Sequence, residues 1–234
     1  MAGSCWRIAS GLLLVPAAVA GMAGCSNGAG STAASGSTSS SAANGALTAA
    51  TLREALLTRV NGVAAAAPAS SGTYSSMQAA NSKAASGIQV TPKACAQAAT
   101  VGFNSAALGT APAAAVTFRV GTNGVSEVLI ASSAKSAATV LAGHVPAECA
   151  QYQETVGGKT YAYDIKEKTI SGIGEQARVL NVYAASAKSD EMWSLVYQAK
   201  GFIGTVTVVG PNATEQAVTE LGQQAYAFAT KSLS

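Results

Sequence analysis

Between residues 159 and 209, apolar and polar side chains alternate in four successive runs separated by short turn-forming stretches. A period of two marks strands with a covered face. Strands this close in sequence pair antiparallel, because a parallel crossover needs a dozen or more residues. The first run, Lys159–Ile165, follows the Gly157-Gly158 turn and puts Tyr161, Tyr163 and Ile165 on one face. The second is Gln176–Ala185, and Ala187–Asp190 reads as the turn after it. The third, Glu191–Ala199, puts Trp193, Leu195 and Tyr197 on one face. Gly201 then turns the chain into Phe202–Val209. The pattern predicts a four-stranded antiparallel meander.

The flanking segments supply the other elements. Ala115–Val120 and Val125–Ala131 are β-rich, with Gly121-Thr122-Asn123-Gly124 between them. Asn-Gly is a strong hairpin signal, and a turn centred on Asn123-Gly124 predicts Phe118 opposite Leu129. Leu47–Val60 reads as an amphipathic helix, Gly62–Gly87 as mostly loop and Lys93–Val101 as a short helix. Ser132 or Ser133 caps a helix running to about Ala142, which Gly143 and Pro146 end. Asn212 with Glu215 makes a capping-box start for a closing helix from Ala213 to about Lys231, with Val218, Leu221, Ala225 and Phe228 as its apolar stripe. The expected class is α+β: an antiparallel sheet, built of a hairpin and the meander, packed against helices and closed by a C-terminal helix.

The N-terminal 46 residues lie outside that pattern. Arg7 precedes an apolar stretch, Ile8 to Gly21, which ends in Met22-Ala23-Gly24-Cys25. A positive start, an apolar middle and small residues before a cleavage point describe a secretory signal. With cysteine next, the segment resembles a bacterial lipoprotein signal, which implies lipid on Cys25 as the first residue of the mature chain. The stretch is too short, and too interrupted by Gly11, Pro16 and Gly21, for the ~20 apolar residues of a spanning helix. Residues 26–46 are almost entirely Ser, Gly, Ala, Thr and Asn. Such a segment cannot bury enough apolar surface to offset its ordering entropy, and as a coil of ~20 residues it spans roughly 25 Å. The expected organisation is a signal over 1–24, a lipid-anchored tether over 25–46 and a single domain over 47–234, held at the extracytoplasmic face of the cell membrane.

Cleavage removes Cys5 and Arg7. The chain has 14 basic and 11 acidic residues before that loss, and neither sign forms a block. A clustered basic surface, which nucleic-acid binding requires, is missing. Cys95 and Cys149 remain as a pair in an exported chain, which predicts a disulfide.

A resemblance emerges from the C-terminal half. Gly174-Glu175-Gln176-Ala177, the run Tyr197-Gln198-Ala199-Lys200-Gly201-Phe202, then Gly204-Thr205-Val206-Thr207-Val208 and the closing helix resemble a mycobacterial family. That family comprises the extracellular sensor domain of the receptor kinase PknH and many small exported lipoproteins. The resemblance covers the chain from about Cys95 onward. It implies an α+β fold with helices beside an antiparallel sheet, and a cleft for an unknown ligand.

Catalytic signatures are sparse. His144 is the sole histidine, and from residue 47 onward no Gly-x-Ser-x-Gly elbow accompanies it. Ser132-Ser133-Ala134-Lys135 fits Ser-x-x-Lys, but its companion Lys-Thr-Gly is absent, and helix capping accounts for the serines. Calcium and phosphate loops are also absent, and no metal or cofactor is expected. The aromatic residues of the meander are the remaining candidates. Tyr161, Tyr163, Trp193 and Tyr197 either pack the sheet or line a cleft, where an apolar body with a polar tip suits a ligand. The expected function is a non-enzymatic envelope lipoprotein that binds an unknown ligand or envelope partner. The alternatives are a lipid or glycolipid carrier, which requires an aliphatic cavity, and an unrecognised hydrolase, which requires Ser132, Lys135, His144 and a carboxylate to cluster.

Overall fold

The computed structural model describes residues 46–84, 87–96, 108–184 and 187–234. Cys25, the signal and nearly all of the tether lie outside the described residues, as does the second half of the helix expected over 93–101. The element order is α1 (Ala49–Glu54), β1 (Arg59–Val60), β2 (Val63–Ala64), β3 (Ser70–Thr73), α2 (Tyr74–Ala84), β4 (Ile88–Thr91), β5 (Pro112–Val120), β6 (Asn123–Ala131), α3 (Ala134–Ala142), β7 (Gln151–Val156), β8 (Lys159–Ile170), β9 (Gln176–Ala184), β10 (Ala187–Ala199), β11 (Phe202–Val209) and α4 (Glu215–Ser232). One-turn 3₁₀ helices at Lys93–Ala96 and Ala147–Cys149 carry the two cysteines.

The α+β class is as the sequence predicts. Nine strands form one sheet in the order β3-β5-β6-β11-β10-β9-β8-β7-β4, every neighbouring pair antiparallel. The meander has five strands, because β7 joins the four expected. β8 runs on to Ile170, and β10 begins at Ala187, so residues 187–190 belong to a strand and not to a turn. An irregularity between Ala187 and Met192 lets β10 start this early.

Several other expectations need correction. Two residues, Gly121 and Thr122, turn the β5–β6 hairpin, and Phe118 faces Val125 while Leu129 faces Ala114. Both registers keep the same faces together, since they differ by an even number of residues. Gly121 decides between them, with a φ of +60° at the first central position, the requirement of a type II′ turn. Asn123 is spent elsewhere: its Oδ1 accepts from the Asn212 N–H, while the Asn212 Nδ2 donates to the Thr122 Oγ1. Asn212 therefore holds the hairpin tip and does not cap α4; Thr214 does, accepting from the Ala217 N–H.

The first helix is only six residues long. Thr48 and Thr51 form its capping box. It ends because the Leu57 N–H is drawn to the Glu127 carboxylate at 2.7 Å and because Asn61-Gly62 turns β1 into β2. The segment expected as loop, 62–87, instead holds β2, β3 and α2.

Alternation along the strands gives the sheet two apolar faces. One carries Leu180, Val182, Met192, Val196, Ile203 and Tyr163, and is covered by α2 and α3. The other carries Val179, Leu195, Tyr197, Phe202 and Val206, and is covered by α1 and α4. Cys95 and Cys149 are joined on the first face, with Cα atoms 5.3 Å apart. Both sulfurs are buried there.

Candidate functional site

The aromatic candidates divide between the two faces. Tyr163 is buried on the α3 side and stacks on Tyr152, ring centroids 5.3 Å apart. Tyr161 is half-buried against the same core. Tyr197 is fully buried on the α4 side, with its ring edge-on to Phe202 and Tyr226. It lies across Gly204, where a Cβ would run into the tyrosine ring. Trp193 is half-buried on that side and donates from Nε1 to the Glu191 carboxylate at 2.8 Å. A sheet about one residue thick separates the pairs, so the four side chains do not converge on one cleft.

A cleft of about 510 Å³ lies elsewhere, at the β8–β9 end of the sheet, and none of the four lines it. Its walls come from the exit of α3, the end of β8, the loop 171–175 and the start of β9. Gly143 ends α3, and Ser133 caps its start by accepting from the Ser136 N–H. The helix buries Ala137, Val140 and Leu141 on the sheet, which sets its exit over β8 and β9.

Alternation then aims the cleft's polar groups. Glu167 and Thr169 follow Ile165 at a period of two and share its face, and Arg178 of β9 stands opposite Thr169. The Glu167 Oε1 accepts from the Val145 N–H at 3.1 Å and lies 2.9 Å from the His144 Nδ1. Its Oε2 accepts from the Arg178 Nη1 at 3.4 Å. The same Nη1 donates to the Gly143 carbonyl. Arg178 is 5% exposed, and its Nε is buried without a hydrogen-bond partner. Burial pushes the guanidinium below its ordinary range, with Glu167 opposing the shift.

The loop 171–175 is a fixed wall. Ile173 is buried among the side chains beneath α4. Gly174 has a φ of +62°, and a Cβ there would run into the Gln198 carbonyl, so glycine is the residue this approach admits. The Glu175 N–H donates to that carbonyl, and the Gln198 Nε2 donates to the Glu175 carboxylate at 2.6 Å. Lys168 pairs with Glu215 of α4 at 2.6 Å.

The hydrolase arrangement does not assemble. Ser132 and Lys135 stand at the start of α3 and His144 beyond its end, some nine residues or roughly 14 Å away. The Ser132 hydroxyl donates to the Ser133 carbonyl. Among the described residues, no cluster of three or more His, Cys, Asp or Glu side chains is placed to hold a metal ion.

Two carboxyls are buried away from the cleft. Glu127, on β6 beneath α1, is pushed up to about 8 by desolvation, against the Leu57 N–H. Glu154, on β7 in register with Tyr161, is pushed up to about 7 by burial, the Tyr152 hydroxyl opposing the shift.

No family model matches the chain, and no curated protein matches it in sequence. Solved structures resemble it, two of them as follows. One is the extracellular domain of PknH from Mycobacterium tuberculosis, 13% identical, with 70% of this chain and 84% of that one covered at a TM-score of 0.49. The other is an Rv0999 ortholog from Mycobacterium smegmatis, 15% identical, with 62% and 76% covered at a TM-score of 0.35.

Proposed function

We propose that this chain is a lipid-anchored, extracytoplasmic binding domain without catalytic activity, and that it receives its ligand in the cleft at the β8–β9 end of the sheet. The observation that carries the reading is the cleft itself: a concave site of about 510 Å³ with a buried, incompletely partnered arginine in its wall. Concave sites with a few convergent polar groups on a preformed frame are where small ligands bind. Its lining mixes Leu141, Ile170 and Ile173 with His144, Glu167 and Arg178, which favours a polar ligand over the acyl chains of a lipid carrier. The anchoring half of the proposal rests on Met22-Ala23-Gly24-Cys25 and on the serine-rich tether.

Both halves are open to experiment. Cys25→Ser should abolish lipid labelling in the native host, and unchanged labelling would remove the anchor. A mixture of small polar fragments, added to the ¹⁵N-labelled full chain in detergent, should shift the amide signals of residues 167–178 and 141–145. Shifts confined to other surfaces, or none, would remove the cleft as a ligand site.

A further inference from the structure

Arg178 has more hydrogen-bonding capacity than its surroundings use. A guanidinium carries five N–H donors in a rigid fork. The Nη1 serves the Gly143 carbonyl and the Glu167 Oε2. Neither Nε nor Nη2 donates to any group among the described residues, and Nε is buried. A structural arginine–carboxylate pair normally uses two parallel N–H···O bonds. Here Glu167 is held away from that geometry, because its Oε1 is committed to His144 and to the Val145 N–H. Only a long 3.4 Å contact remains between Glu167 and Arg178. A buried donor left without an acceptor keeps its full desolvation penalty, so the Nε–Nη2 edge gains from any acceptor that reaches it.

The neighbouring charges are already matched. Lys168 is committed to Glu215 and Glu175 to Gln198. Arg178 and Glu167, with the His144 imidazole beside them, are thus the groups of the cleft that a ligand can rearrange. The edge presented by Nε and Nη2 has the spacing that takes two oxygens of one planar or tetrahedral oxyanion. Nε is buried, so the guanidinium must tilt to offer it, pivoting on the Nη1–Gly143 bond while the long contact to Glu167 yields.

We propose, resting on the cleft reading above, that the ligand carries an oxyanion, a carboxylate or a phosphate, which binds the Nε–Nη2 edge of Arg178 and competes with Glu167, held at Nη1, for the one positive charge. Glu167 then acts as an internal counter-ion whose long contact a ligand weakens.

The test follows the Arg178 Nε–Hε signal in the ¹⁵N-labelled full chain in detergent, titrated separately with sodium acetate and sodium phosphate at constant ionic strength. The signal should move saturably with at least one anion, while those of the exposed Arg53 and Arg59 do not. Acetate acting alone identifies a carboxylate ligand, and phosphate acting alone a phosphate. Glu167→Gln removes the competitor and should tighten binding about tenfold, equivalent to ~1.4 kcal/mol. Arg178→Lys keeps the charge, loses the fork and should weaken binding by about the same factor. A purely structural role for Glu167 predicts no gain. The proposal is overturned if the Arg178 signal stays fixed up to concentrations at which Arg53 and Arg59 respond, or if Glu167→Gln binds no more tightly than the native chain. If neutral fragments shift residues 167–178 while neither anion does, the oxyanion assignment fails and the cleft remains.

Discussion

Glu127 is 1% exposed between the sheet and α1, where one oxygen accepts from the Leu57 N–H and the other has no partner. The Tyr197 hydroxyl, buried on the same face, has none either; desolvation drives that phenol well above its ordinary value, and Glu127, once ionised, adds to the shift. With a folded value of about 8 against an ordinary 4.5, Glu127 holds its proton in the folded chain after the unfolded chain has lost it. Its contribution is therefore complete below about pH 4.5 and is lost as pH rises towards 8. The ceiling on that loss is about 4–5 kcal/mol. Urea unfolding between pH 5 and 8 should show stability falling in the native chain and a flatter profile in Glu127→Gln, which keeps an acceptor for Leu57. Equal slopes in the two proteins would place the titrating group elsewhere, with Glu154 the next candidate because its shift has the same sign. Glu127 alternates with Val125 and Leu129, a pattern from which its burial could have been read but was not. Its tie to Leu57 could not have been, because a contact spanning 70 positions leaves no trace in local pattern. Arg178 was harder still. It sits in a run with no clean alternation, and only its position opposite Thr169 shows which face it serves.

Elements were legible where the signal was local and illegible where the partner was distant. The meander came through because its period of two repeats over short turns. The Ser133 cap and the Gly143 stop were local signals, and both operate. Segment 62–87 has too few large apolar residues to show a period, and its strands β2 and β3 form by pairing with β1 and β5. Helix α4 shows how spacing alone misleads. Phe228 fits the expected stripe, yet it is 37% exposed, while Val218, Gly222, Ala225 and Ala229 are buried. The contact surface is made of small residues because the helix lies close to the sheet: a Cβ on Gly222 would stand 2.8–2.9 Å from the Leu195 methyls. A phenylalanine is too large for that gap and turns to the rim. Phe228→Ala should then cost less than about 1 kcal/mol, whereas Val218→Ala should cost about 2 kcal/mol from two lost buried carbons and a cavity. Thermal or urea unfolding of the two variants separates these outcomes, and a larger loss at Phe228 would relocate the helix contact.

At the scale of the whole molecule, the strap β3–α2–β4 governs shape. Its strands pair at opposite edges of the nine-stranded sheet, which laid flat would set them about 38 Å apart. The connecting residues 74–87 include an eleven-residue helix and reach only ~30 Å when the rest is fully extended. The sheet must therefore curl towards the face that α2 crosses, the face that also carries α3 and the disulfide. Nothing in the sequence pattern of 62–87 announces this, because the constraint lies in which strands it joins. The disulfide acts on the same strap. Cys95 follows β4, and Cys149 precedes β7, the strand with which β4 pairs. The bond thus fastens the far end of the strap to the sheet edge that receives it. Closing a loop of 54 residues stabilises by about 4 kcal/mol in the chain-entropy model. The double variant Cys95→Ala/Cys149→Ala should lose stability of that order. It should also lose it unevenly: hydrogen exchange at Gln89–Thr91 should accelerate most, while the central strands β10 and β11 follow only the global change. Each central strand is held on both sides by long ladders, whereas β4 is held by four residue pairs and the strap. Uniform acceleration across the sheet would show that the bond stabilises the unfolded-state balance alone and does not fasten the edge.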